Sequence, residues 1–209
     1  MTQSNPLRHY FRHIKLYVPL PSGTTYYTPD IIEFTDSGEV GIMPMTAKDE
    51  VITRNPDALL NGEAITQIIT SCVPAVKDPK KLLANDIDTL MIAIRHATYG
   101  DDLEVNVACP KCEHANKFAV NITQSLATMA KLDPEYAIEL PNGIKIFVKP
   151  FSYQDTILAM RAQFEQYKIA KNITNDKLND DDRVRIFSKS FNEISNLSMQ
   201  LISNCIVKI

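Results

Sequence analysis

The sequence has few of the residues that build phosphate-binding loops, disulfide frameworks and membrane spans. It contains no Trp, only 6 Gly and only 4 Cys in 209 residues. Neither GxGxxG nor GxxxxGK(S/T) occurs, which argues against a glycine-rich loop that binds phosphate. No apolar run approaches the roughly 20 residues of a membrane-spanning helix, and the N-terminus lacks the apolar core of a signal peptide. These absences predict a protein that is made and kept in a reducing cytoplasm, where its cysteines form no disulfide framework.

Composition and charge are those of an ordinary globular protein. Hydrophobic residues make up 44% of the chain and charged residues 22%, and the formal net charge is -3. This acidic balance gives no general attraction to nucleic acid or to an anionic membrane. The four histidines (His9, His13, His96 and His114) stand in no recognisable relation to a nucleophile or to paired carboxylates. We therefore expect no enzymatic activity, and we interpret His96 as a structural side chain near a helix C-terminus.

Hydrophobic periodicity divides the chain into four segments and predicts an α+β fold. Residues 1–45 are an N-terminal arm followed by short β-strands, and residues 46–100 are a helical segment. Residues 101–150 form central β-hairpins, the first of which carries a CxxC knuckle at its turn. Residues 151–209 form the C-terminal helices. We expect the four segments to make one cooperative unit, because no repeat or low-complexity tract separates them.

Local signals place several element boundaries. Thr46, with Asp49 three residues later, is an acidic variant of the capping box. Asn85 or Asp86 is the candidate cap of the next long helix. That helix has an apolar face that should enter the core, formed by Ile87, Leu90, Met91 and Ile94. An Asn-Gly dipeptide between the runs AIEL and IKIFV predicts a β-hairpin.

The C-terminal segment carries two apolar stripes with helical spacing. Ser152 and Asp155 can cap the first of these helices, as a second pair of the capping-box type. The stripe on the first helix consists of Ile157, Met160, Phe164 and Tyr167. The stripe on the last helix consists of Phe187, Phe191, Ile194, Leu197, Leu201 and Cys205. The sequence therefore predicts two long amphipathic helices.

The phrase VNVACPKCEHANKFAVNI places Cys109 and Cys112 in a tight turn between two alternating runs. A CPxC turn between strands is typical of zinc ribbons, but a tetrahedral zinc site needs four ligands, usually two such pairs. His114 is too close in sequence to complete the site comfortably. Glu113 stands where such turns often have Gly, which weakens the zinc interpretation.

Three interpretations of the CPKC turn remain open. It can be a metal-free turn, or half of a zinc site completed by Cys72 or by a partner chain, or a redox pair. The redox alternative is disfavoured, because redox CxxC pairs of the thioredoxin type lie at a helix N-terminus and not in a hairpin. Cys205 belongs to an apolar helix stripe and is interpreted as a small core residue.

The N-terminal arm is a candidate partner-binding segment. Arg8, Tyr10, Phe11 and Arg12 combine positive charge with aromatic area, a mixture that is enriched at interface hot spots. We predict that residues 1–13 dock on another protein. The alternative is a frayed terminus with no binding role.

Several phrases together resemble the baseplate hub assembly protein family of T-even-like contractile-tailed bacteriophages. They are NPLRHYFRHIKLYVPLPSGTTYY, VGIMPMTAKDEVITRNPDALLNGEAI, SCVPAVKDP, DIDTLMIAIRHATYGDDLEVNVACPKCEHAN and IFVKPFSYQD. The match is collinear over most of the chain. The resemblance implies a late phage protein that helps to build the central hub of the tail baseplate, as a structural subunit or as an assembly chaperone.

The resemblance also implies partners and location. The partners would be other baseplate hub or hub-assembly proteins, with self-association as a further possibility, and without nucleic acid or membrane insertion. The protein would act in the host bacterial cytoplasm during assembly or in the tail baseplate of the virion, and its only candidate cofactor is zinc shared with a partner chain. Two alternatives from other classes are a zinc-knuckle module that binds nucleic acid and a cryptic hydrolase of the cell envelope.

Overall fold

The computed structural model describes residues 11–173 and 179–209 and has the predicted α+β architecture. In the first half, β1 (Leu16–Pro19) pairs antiparallel with β2 (Glu39–Ile42). Four helices follow: α1 (Ala47–Ile52), α2 (Pro56–Leu60), α3 (Glu63–Cys72) and α4 (Ala84–Tyr99), with a 3-10 turn at Pro79–Lys81 between the last two. This half supplies most of the buried core.

The second half adds two further sheets and two long helices. The strands β3 (Asp102–Ala108) and β4 (Ala115–Asn121) form an antiparallel hairpin, and α5 (Ile122–Ala127) follows. The strands β5 (Tyr136–Glu139) and β6 (Lys145–Val148) form the hairpin that the Asn-Gly dipeptide predicts. The helices α6 (Tyr153–Ile173) and α7 (Asp180–Cys205) lie against each other, and β7 (Ile206–Lys208) then pairs with β6.

The core lies between the β1–β2 sheet, α3 and α4. Ile87, Leu90 and Ile94 are buried there, as their spacing on one helix face predicts, and Met91 packs against them partly exposed. Thr46 and Asp49 form the predicted capping box, in which the Thr46 N–H donates to Asp49 Oδ2 at 2.7 Å. This box fixes the start of α1 next to the core.

The start of α4 differs from the sequence prediction. The helix begins at Ala84 with Leu83 as its N-cap, so the expectation that Asn85 or Asp86 caps it is wrong. The carboxylate of Asp86 is buried instead, where it accepts from the Ser22 N–H at 3.1 Å and from the Tyr27 hydroxyl. The Asp86 side chain thus bonds to residues that are distant in the sequence and does not cap α4, the role that its position suggests.

The start of α6 attaches the α6–α7 pair to the core. Ser152 and Asp155 form the predicted cap, and Asp155 also accepts from the Asn204 amide of α7 at 2.7 Å. Tyr153, at the start of α6, is buried and donates to the Gly62 carbonyl at 3.3 Å. None of the helices in the described residues combines the length and the hydropathy that a membrane span requires.

Candidate functional site

The β3–β4 hairpin has one apolar face and one polar face. Leu103 lies opposite Val120 and Val105 lies opposite Phe118, so these four side chains share a face. Val107 continues this face toward the turn. Toward the turn the face is open to solvent, with 53% of Phe118 exposed. An isolated two-stranded hairpin is only marginally stable in water, and this one presents apolar area that the described part of its own chain does not cover.

Two backbone hydrogen bonds close the turn of this hairpin. The Glu113 N–H donates to the Cys109 carbonyl at 2.8 Å, and the Cys109 N–H donates to the His114 carbonyl at 2.9 Å. Glu113 has a φ of 57°, in the left-handed region. Glu113 therefore adopts the backbone conformation that Gly usually supplies at such a position.

The two thiols of the turn differ in their surroundings. Backbone N–H groups of Lys111 and Cys112, and then the Cys112 thiol, donate to the Cys109 sulfur and lower the pKa of Cys109. Cys109 is half-buried, Cys112 is exposed, and neither forms a disulfide.

The other cysteines do not join the pair. Cys72 is fully buried in the core at the end of α3, and burial raises its pKa to about 11. Cys205 is half-buried at the end of α7. Within residues 11–173 and 179–209, no group of three or more His, Cys, Asp or Glu side chains could hold a metal ion. Completion of the site by Cys72 stays a prediction, and in this structure the Cys72 side chain packs in the core instead.

Arg12, one residue of the predicted partner-binding arm, contacts other residues of its own chain. The Arg12 guanidinium donates to the Ser71 carbonyl at 2.6 Å and to the Ser71 hydroxyl at 3.0 Å, and it lies 3.7 Å from Asp49. Phe11, in contrast, is 57% exposed. Arg8 and Tyr10 lie outside the described residues. Docking of residues 1–13 on a partner stays a prediction, and Phe11 is its best-placed described residue.

Both helices of the α6–α7 pair carry exposed apolar side chains, which together we call the outer helical surface. It comprises the exposed side chains Phe164, Tyr167, Val184, Phe187, Phe191, Met199 and Ile202. Phe187 and Phe191 are stacked with their ring centroids 5.9 Å apart. Beside it, a groove of about 610 Å³ between α2 and the long helices is lined by Ile157, Met160 and Phe164 together with charged side chains.

Sequence periodicity found only part of the outer helical surface. It identified the aromatic residues as stripes but did not identify Val184, Met199 and Ile202. The sequence signal that could have found them is the spread of apolar residues over more than one face of α7. One contact with α6 cannot bury all of these faces. A helix with excess apolar area is expected to contact something else.

Comparison with known proteins gives one family. The model of the family described as T4 bacteriophage base plate protein matches residues 27–209, which is most of the chain. No significant match was found among curated proteins or among solved structures.

Proposed function

The chain belongs to the T4 bacteriophage base plate protein family, and from this membership we propose that it serves the central hub of the tail baseplate. It is either a subunit of the hub or a chaperone that assembles it. It acts through protein–protein contacts and not through catalysis. Assembly takes place in the cytoplasm of the host bacterium, and the contractile tail is the product.

The outer helical surface supports a role in protein–protein contacts. Phe187 and Phe191 are 45% and 57% exposed although both are large aromatic side chains. Aromatic residues and Met are enriched at protein interfaces. The family match carries the proposal, and this surface is where we expect the hub contacts to form.

Paired substitutions on α7 test the proposal. Phe187→Ser with Phe191→Ser removes the stacked aromatic pair from an exposed position, so the fold should tolerate it. Lys189→Ser, between them on the same helix and also exposed, is the matched control. Each variant is co-expressed with the other baseplate proteins of the same phage, and complexes are isolated through a tag on this chain.

The expected result is that the control recovers a complex with hub proteins and the double variant does not. The circular dichroism of the double variant should remain helical, which separates loss of contact from loss of fold. Normal recovery of the complex by the double variant would exclude the outer helical surface as the hub contact. Failure of the unaltered chain to bind any baseplate protein would contradict the proposed function itself.

A further inference from the structure

The CPKC turn holds two cysteines at an exposed hairpin tip, which is only half of a zinc ligand set. The Glu113 N–H donates to the Cys109 carbonyl at 2.8 Å and the Cys109 N–H donates to the His114 carbonyl at 2.9 Å, and the left-handed Glu113 completes the turn. A tetrahedral structural zinc site requires four ligands, with zinc–sulfur distances of about 2.3 Å. Cys109 and Cys112 provide two.

The missing ligands do not come from the described part of the same chain. Cys72 is enclosed by the core, and Cys205 lies at the far end of α7. No third His, Cys, Asp or Glu side chain in that part of the chain joins the pair in a metal-binding group. The hairpin turn is exposed, so its thiols are open to a second molecule.

We propose that one zinc ion joins two copies of this chain, with Cys109 and Cys112 of each copy as its four ligands. A second copy is the occupant that the observations favour, because it presents an exposed pair with the same turn geometry. A two-fold axis through the metal then brings the two β3–β4 hairpins together at their tips, as in other isologous contacts. This inference is independent of the proposed hub role.

Charge at the tips agrees with this arrangement. The segment 109–117 contains Lys111 and Lys117 and a single carboxylate, Glu113, so each tip has a formal charge of about +1 apart from its thiols. Zinc with four thiolates has a formal charge of about -2, which two such tips balance. The exposed Val107 and Phe118 lie next to the turn, where a second hairpin could cover part of their apolar area.

The test uses the full reduced chain with and without zinc. Analytical ultracentrifugation should show that zinc doubles the mass, and metal analysis of the dimer should give one zinc per two chains. A chelator should return the monomer. Replacing zinc with cobalt should give the intense visible absorption of a tetrahedral four-thiolate site, which identifies the ligands independently of mass.

Two variants make the result specific. Cys109→Ser with Cys112→Ser should abolish both the dimer and the cobalt spectrum while circular dichroism stays unchanged. Cys205→Ser, the matched change at a thiol elsewhere, should keep both. One zinc per chain in a monomer would overturn the proposal in favour of a site closed locally, for example by His114. Absence of zinc binding, or tight binding only with a different protein, would overturn it as well.

Discussion

Gly62 is the position where one added methyl group tests how the α6–α7 pair is attached to the core. Its φ is +74°, in the left-handed region. A Cβ at this position would lie 2.5 Å from Ile157 Cδ1 and 3.0 Å from the Tyr153 hydroxyl oxygen. Gly62→Ala therefore strains the backbone and also collides with the first turns of α6.

The expected cost has two parts. A left-handed conformation costs a residue with a Cβ roughly 1–2 kcal/mol, and forcing an extra carbon into a packed contact costs about 1–3 kcal/mol. We expect Gly62→Ala to lower the free energy of unfolding by about 2–5 kcal/mol, as the sum of these parts. Urea unfolding monitored by circular dichroism at a fixed temperature measures it.

Two further variants separate the backbone cost from the steric cost. Gly143 also has a positive φ, +82°, but a Cβ there meets nothing within 4 Å. Gly143→Ala should therefore show only the backbone cost. Ile157→Val deletes Cδ1, the closest atom, so it should recover part of the loss when combined with Gly62→Ala. If Gly62→Ala costs no more than Gly143→Ala, the close packing of α6 on Gly62 is not present in solution.

Three other changes give distinct outcomes. Ile94→Asp should lower the free energy of unfolding by several kcal/mol, since it buries an unpaired charge, whereas the exposed Asn85→Asp should not; an equally stable Ile94→Asp protein would refute the core assignment. Burial opposes ionisation of Asp155, but hydrogen bonds outweigh burial and lower the pKa of this carboxyl group. The contribution of Asp155 to the free energy of unfolding is therefore full above the ordinary carboxyl pKa of about 3.9. This contribution is lost as the pH falls through the lower pKa of the folded state. Asp155→Asn should flatten the acid limb of urea midpoints measured against pH, and an unchanged slope would contradict this. Arg12→Ala should lower the thermal midpoint by removing hydrogen bonds to a charged donor, worth about 1.5–3 kcal/mol, whereas Phe11→Ala should keep the midpoint and weaken partner binding; the reverse pattern would refute both assignments.

Short-range chemistry explains what the sequence predicts well. The capping boxes, the Asn-Gly hairpin and the buried face of α4 each depend on residues a few positions apart, and the structure has all of them. The start of α4 was not predictable, because Asp86 bonds to Ser22 and Tyr27, far away in the chain. For the same reason β7 lies within the segment 151–209 that the sequence predicts as helical, since its pairing with β6 is a long-range contact.

The candidate site shows the same division. The sequence identifies the CPKC turn and the strands on either side of it, but the residue type at Glu113 suggests a different backbone from the one observed. Periodicity also identifies Phe187 and Phe191 as part of a stripe without showing that this part is exposed. An apolar stripe has the same spacing whether its own chain covers it or another protein does.

Isolation of this chain from infected cells through an affinity tag, with quantitative mass spectrometry of the proteins bound to it, tests the hub proposal most directly. The account predicts recovery of other baseplate hub or hub-assembly proteins at defined ratios to this chain, enriched over an untagged infection. Recovery of the chain alone, or with proteins unrelated to the baseplate, while tails assemble normally, would contradict it.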